Sequence, residues 1–356
     1  MFDLSLLKEL IGMRPVSDDV SAVNGVVKRM MDDLLSAGVF CKLERVGERL
    51  ALYAAASEEM PDVLFNVHLD VVNGEDSLFK PFERDGRLYG RGSADCLGNA
   101  VLLAGLLKRC RNIFRIGVIF STDEEIGGET TSAMVDRGYG ARELAVVLDG
   151  GDYGSIVTAQ KGTAVIRLKA SGKAGHSAYP WLSENAIDKI AAACGKLRAR
   201  WTEQAGRGWQ ESLVLCMISG GTAANQVPGS AELTLNLRYV EPGILPVRIR
   251  EIEEMTGLEA ELISGCDVLM SPHESIPLGI LKENVERELG KECVFTTMCG
   301  ATDARFLAKL GIPVAIMNSD GAGEHGSEES VRLGSMDELE RILFRTIQTI
   351  SHRTEK

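Results

Sequence analysis

The segment Asn66-Val67-His68-Leu69-Asp70 ends an apolar run with an imidazole and a carboxylate two positions apart, so on an extended chain both side chains leave the same face. A histidine that ligates a metal normally has its second ring nitrogen held by a carboxylate or carbonyl, which fixes the tautomer. Here one residue could ligate and the other orient it. Taken by itself, the segment fits a histidine merely hydrogen-bonded at a strand end equally well. Further groups of the same chemical kind fall at comparable places. Asp95 follows the turn Gly90-Arg91-Gly92, Glu124 and Glu125 follow an apolar strand ending Ser121-Thr122, Asp149 follows Val146-Val147-Leu148, and His325 follows a strand ending Met317-Asn318. Any one such carboxylate is ordinarily just solvated. In an open parallel sheet, however, the loops at the carboxyl ends of the strands line the ligand crevice, where these residues converge. Two histidines with three or four carboxylates suit zinc first, and cobalt or manganese as well. A carboxylate bridging two ions about 3.5–4 Å apart lets water be activated while an amide carbonyl is polarised. Neighbouring side chains point apart, so Glu124 and Glu125 take different roles: one ligates and one moves a proton.

The elements that must position these residues follow from the hydrophobic pattern. Amphipathic helices are expected over about 5–13 and 21–37, strands at 63–67, 116–121 and 145–148, and helices between them at 98–110 and 130–137. The strands are continuous apolar runs, as in a mostly parallel sheet covered on both faces, an α/β core. Over 162–270 the order becomes strand (164–170), helix (184–204), strand (213–219), strand (231–239), helix (244–256), strand (259–264), the split ferredoxin-like pattern of an inserted α+β domain. A helix at 278–289, a strand at 294–297, a helix at 302–310, a strand at 313–317 and a last helix from Met336 return the chain to the first core. The catalytic domain is therefore expected over 1–161 and 271–356.

Together these residues resemble the metallopeptidase and deacylase family that includes acetylornithine deacetylase, succinyl-diaminopimelate desuccinylase, aminoacylase-1 and glutamate carboxypeptidase. The resemblance runs from end to end. Its strand, turn and loop motifs look like Val67-His68-Leu69-Asp70-Val71-Val72, Gly90-Arg91-Gly92-Ser93-Ala94-Asp95-Cys96-Leu97-Gly98 and Asp123-Glu124-Glu125-Ile126-Gly127. It implies a zinc-peptidase catalytic domain with His68, Asp95 and Asp149 on one ion and Asp95, Glu125 and His325 on the other, Asp152 being a weaker rival of Asp149. Asp70 would orient His68. Glu124 would be the general base that takes a proton from the attacking water and later gives it to the leaving amine. Gly175-His176-Ser177-Ala178-Tyr179-Pro180 is similar to the family's lid signature, which implies that His176 stabilises the tetrahedral oxyanion in the other subunit of a homodimer joined through the lid. Asn225, in Ala224-Asn225-Gln226-Val227-Pro228, matches a lid position that helps hold substrate. Gly300-Ala301-Thr302-Asp303-Ala304-Arg305 resembles a loop near the substrate carboxylate, with Arg305 as its bidentate partner and Lys161 and Arg238 as weaker candidates. Glu329 is implied to be a supporting carboxylate, and His273 and His352 match nothing and are expected on the surface. Val67, Asn73 and Leu97 stand where the family usually has glycine, proline and lysine, which touches loop shape and substrate preference but no ligand.

Composition narrows the partners. Acidic residues outnumber basic ones by 51 to 39, a net charge of −12 that disfavours a grip on nucleic-acid phosphates or anionic lipid. The longest apolar run, Ala100–Leu107, is far short of a membrane span, and no basic region precedes an apolar stretch at Met1-Phe2-Asp3-Leu4. Eight cysteines without a Cys-x-x-Cys pair suggest reduced thiols, so a cytoplasmic enzyme is expected. The expected substrate is a small N-acyl amino acid or short peptide. A dipeptidase or carboxypeptidase would use the same machinery, and a non-catalytic metal- or peptide-binding protein on this scaffold would be marked by loss of the base or of a ligand. No Gly-x-Gly-x-x-Gly follows the first strand, against a nucleotide-binding enzyme.

Overall fold

The computed structural model describes residues 2–201 and 208–354. Two compact units result, one of residues 1–158, 270–296 and 302–356, the other of 159–269 and 297–301. Residues 297–301, placed with the first core by the sequence pattern, belong to the second unit.

Side-chain caps start the first two helices. Asp3 accepts from the backbone N–H of Ser5 and Leu6, and Asp19 from that of Ala22, each cap contributing about 1 kcal/mol to α1 (Leu4–Gly12) and α2 (Val20–Ser36). Then come β1 (Phe40–Val46), β2 (Arg49–Ala55), β3 (Val63–His68), β4 (Phe82–Arg84), β5 (Arg87–Tyr89), α3 (Leu97–Cys110), β6 (Ile116–Ser121), α4 (Glu129–Asp136), β7 (Leu144–Val147) and β8 (Ile156–Gln160). The inserted segment contributes β9 (Gly162–Ser171), β10 (Gly175–His176), α5 (Ala186–Arg200), β11 (Ser212–Gly220), β12 (Gln226–Val227), β13 (Ser230–Tyr239), α6 (Leu245–Thr256) and β14 (Glu259–Cys266). The chain returns through β15 (Leu269–Met270), α7 (Ile276–Leu289), β16 (Phe295–Met298), α8 (Ala304–Leu307), β17 (Val314–Ile316), β18 (Gly321–Ala322), β19 (Ser330–Arg332) and α9 (Leu333–Thr354).

In the first unit the main sheet runs β1-β2-β6-β3-β7-β17-β8. Its four central strands are parallel, whereas β1, β2 and β8 pair antiparallel at the margins. Strands β1 and β2 lie outside the sequence expectation: they form a hairpin in which Phe40–Val46 alternates exposed and part-buried residues. The central strands are buried on both faces. Along β3, Val63, Phe65 and Val67 join the large core with α1, α2, α3 and α9, while Asn66 points the other way and donates to Thr131 of α4. Each fully buried Phe or Leu contributes roughly 1.5–3 kcal/mol over its exposed state. This core fixes where the strands stop, and the register pairs His68 with Ser121 and Asn66 with Val147, so the loops after β3, β6 and β7 emerge together.

The second unit holds a four-stranded antiparallel sheet, β11-β13-β9-β14, with α5 and α6 packed against it. The first-second-third-fourth strands thus lie in the order 2-3-1-4, the ferredoxin-like arrangement. Helix α5 ends at Arg200, and the expected extension over 202–204 lies outside the described residues. The helix expected over 302–310 is a single turn, α8, continued by a tighter turn over Ala308–Leu310.

Candidate metal centre

His68 ends β3 and is buried. Its Nδ1 lies 2.8 Å from the carbonyl oxygen of Asp70, and a proton held there leaves Nε2 as the free nitrogen. Nε2 stands 2.9 Å from Asp95 Oδ1 and 3.8 Å from Asp149 Oδ1. Asp95 turns its other oxygen, Oδ2, to His325 Nε2 at 3.1 Å, and that nitrogen is 3.2 Å from Glu125 Oε1. Two donor groups result, His68 with Asp95 and Asp149, and Asp95 with Glu125 and His325, sharing one carboxylate. Cys96 also falls within reach of the first group, but its thiol donates to the Leu148 carbonyl at 2.7 Å and burial pushes its pKa up.

Each donor reaches the centre from a separate segment. His325, expected directly after a sheet strand, is instead carried in the turn between β18 and β19, part of a small sheet with β5 and β4. Asp95 follows β5 of the same sheet, so two ligands of one group hang from one hairpin pair. Asp152 does not join them: its carbonyl closes a turn with Ser155.

The loop carrying Glu124 and Glu125 is held by a set of side chains of which the sequence pattern singles out only Asp70 and Arg305, and for other roles. The Asp70 carboxylate lies 3.5 Å from His68 Nδ1, farther than the Asp70 carbonyl, and accepts instead from Ser17 Oγ at 2.8 Å and from the backbone N–H of Glu124 at 3.2 Å and Glu125 at 3.4 Å. Arg49 donates to the carbonyls of Ser17 and Thr122. Buried Asp303 accepts from Ser121 Oγ at 2.7 Å and Thr131 Oγ1 at 2.5 Å, on either side of the loop. Arg305 donates to the Gly127 carbonyl at 2.8 Å. Gly128 takes φ +74, and a Cβ there would overlap Asp303 Oδ1, so only glycine fits. Ser17 and Arg49 belong to no motif and their partners are far away in sequence, and Asp303, though inside the Gly300–Arg305 motif, was given no role by it.

The charges crowd one another. Burial, with Asp149 nearby, pushes Glu124 up to about 10, and burial pushes Asp149 up to about 8 and raises Glu125. Burial opposes ionisation of Asp95 too, but hydrogen bonds from His325 and His68 outweigh it and hold that carboxyl below the usual range; the same bond to Asp95 lifts His325 to about 9. Imidazole nitrogens and carboxylate oxygens in excess of local positive charge are the donor chemistry of a divalent cation, which supplies the missing charge.

The second unit brings two more expected residues side by side. His176 of β10 pairs with Gln226 of β12, and Ser177 donates to the Asn225 carbonyl at 3.0 Å. Both His176 and Asn225 are exposed. The backbone N–H of Ala178 donates to His176 Nδ1 at 3.1 Å, which puts the ring proton of the neutral form on Nε2, facing outward as a donor. Lys161 is buried and donates to the Gln210 carbonyl, and Arg238 lies within β13. His273 and His352 are both exposed, as expected; His273 meets Thr158 Oγ1 at 2.8 Å and stacks on Phe295, and His352 lies beside Phe114.

Carboxylates and histidines gathered beside an α/β core as possible metal donors, together with the chain's relatives, make this a metal-dependent hydrolase. The chain belongs to Peptidase family M20/M25/M40, whose sequence profile matches residues 64–349. It is 27% identical over 376 residues to a succinyl-diaminopimelate desuccinylase of Bordetella pertussis, covering 98% of this chain and 97% of that one, and 26% identical over 378 residues to the enzyme of that name from Thioalkalivibrio sulfidiphilus, covering 95% and 96%. In fold it is similar to an M20 family metallo-carboxypeptidase of Sulfolobus solfataricus, with TM-score 0.80 at 15% identity over 98% of this chain and 99% of that one. Human carnosine dipeptidase 1 gives TM-score 0.71 at 16% identity, over 98% and 96%.

Proposed function

We propose that the protein hydrolyses the amide bond of a small N-acyl amino acid, using two divalent ions, zinc first with cobalt or manganese as substitutes. The observation that carries this reading is Asp95, one carboxylate shared by two three-donor groups, with Glu124 present and belonging to neither. His68, Asp95 and Asp149 would hold one ion and Asp95, Glu125 and His325 the other. Bound there, the ions supply Lewis acidity toward the carbonyl and lower the pKa of water. Glu124 takes the proton from the attacking water and delivers it to the leaving amine, which the burial of its carboxyl favours. Asp70 sets the His68 tautomer through its carbonyl and the position of Glu124 through its carboxylate. The His176 Nε2–H donates to the developing oxyanion, Asn225 helps hold the substrate, and Arg305, besides anchoring Gly127, faces the substrate carboxylate.

The second unit is proposed to be the lid and dimerisation domain, so that His176 serves the partner's site. Support comes from β11, an edge strand whose Val214, Met217 and Ile218 are 57%, 68% and 61% exposed, an apolar edge that pairing with a second copy would cover. A cytoplasmic location is proposed on the eight free cysteines, and no helix among the described residues is long and apolar enough to cross a membrane.

Turnover of N-succinyl-diaminopimelate, acetylornithine and other acyl amino acids, against a panel of dipeptides with zinc or cobalt present, tests the reading. Preference for the acyl amino acids is expected. Preference for dipeptides would move the assignment to a dipeptidase or carboxypeptidase, and no hydrolysis of any substrate would overturn it.

A further inference from the structure

Arg91 and Glu329 belong to neither donor group, yet they form an ion pair sealed from solvent, with side chains 2% and 0% exposed and Nη1 2.5 Å from Oε2. Each half also grips backbone. Glu329 Oε1 accepts from the N–H of Ala94 at 3.1 Å and of Asp95 at 3.2 Å. Arg91 Nη2 donates to the carbonyls of His325 and Gly326, both at 3.2 Å. The pair therefore joins the backbone that carries Asp95 to the backbone that carries His325, whose side chains meet at 3.1 Å. His325 is in the left-handed region at φ 61, where a side chain other than glycine is strained and persists only if its surroundings hold it. The Arg91 bond to its carbonyl is such a hold. Stability is a poor explanation of the pair, because a buried ion pair is commonly replaced by apolar residues without loss.

We propose that Arg91 and Glu329 are positioning residues that fix the separation of Asp95 and His325 and so set the affinity of the ion held by Asp95, Glu125 and His325. This rests on the ligand assignment above. A lysine at 91 keeps the charge opposite Glu329 but lacks the fork that reaches both carbonyls, so it frees His325 while leaving Asp95 held.

The test titrates metal-free protein with Co2+ and follows the visible absorption of the two binding steps, without reference to turnover. In Arg91→Lys, one step is expected to weaken 10–100-fold while the other stays at its parental affinity. The double variant Arg91→Met, Glu329→Leu is expected to melt within a few degrees of the parent and still show the weakened step. Two parental steps in both variants would overturn the proposal, as would equal weakening of both steps together with a collapse in Tm, which marks a purely structural pair. His325→Ala is the control: it should lose one step, and if it keeps both, the ligand assignment fails and the positioning role falls with it.

Discussion

The two units present functional residues in opposite ways. In the first, His68, Asp95, Glu125 and Asp149 are wholly or largely buried and held by Asp70, Glu329 and the ends of apolar strands, His325 alone of the five donors being exposed. In the second, His176 and Asn225 stand exposed on a two-stranded ladder, with one local hydrogen bond orienting the imidazole. Burial preorganises the charges of the first unit, whereas the exposed residues of the second are held only by local hydrogen bonds. The difference predicts which substitutions disturb metal, which disturb chemistry alone and which disturb assembly.

The sharpest separation is expected from Glu124→Gln. Both ions should remain bound while turnover falls by about 10²–10⁴, measured as metal content and kcat on one preparation; parental turnover would remove Glu124 as the base. His176→Ala should lower kcat by roughly 10²–10³ with KM and metal content little changed, which would place its action in the transition state. If the proposed dimer forms through β11, a charge on that edge, Met217→Glu, would enter the twofold contact twice and should raise the dimer dissociation constant by about a hundredfold or more, read by sedimentation. Activity that falls in step with the dimer would tie His176 to the partner's site.

The smallest effect concerns pH. With Asp149 raised to about 8 and His325 to about 9, the metal-free folded chain keeps protons that the unfolded chain has released, between 3.8 and 8 for the carboxyl and between 6.5 and 9 for the imidazole. Unfolding then releases protons, so the stability of the metal-free protein should decline as pH rises across these windows. A Tm falling by a few degrees from pH 5 to 9, with a shallower slope in Asp149→Asn, is expected; a Tm rising over that range would contradict the burial of Asp149 and the hydrogen bond between His325 and Asp95.

His68 and Asp149 were legible as candidate donors because they sit at or just beyond the ends of apolar strands, where periodicity and motif coincide, whereas Asp95 and Glu125 rested on motif alone. His68 ends β3, and Asp149 lies just past β7. The ferredoxin-like order of the insert was legible for the same reason, since β9 and β13 alternate buried and exposed residues along their length. Apart from β2, whose buried run Leu50–Ala55 carries a strand pattern, what escaped has no local signature. The carrier of His325 is a hairpin of very short strands, β18 and β19, and the β1 hairpin strand is too polar to read as core. Arg305 belongs to a motif that suggested substrate contact, yet in the fold it donates to the Gly127 carbonyl, and Asp303 of the same motif braces Ser121 and Thr131.

The left-handed backbone of His325 also limits what this centre can become. Besides glycine, the residues that enter that region most readily are Asn, Asp and His, and among these only His and Asp are strong metal donors. Descent from this sequence can therefore exchange imidazole for carboxylate at one coordination position with little disturbance of the turn, while cysteine or a β-branched side chain would have to rebuild it. Under the ligand role proposed for His325, an aspartate in its place would supply a hard oxygen donor, which suits manganese or magnesium better than imidazole does.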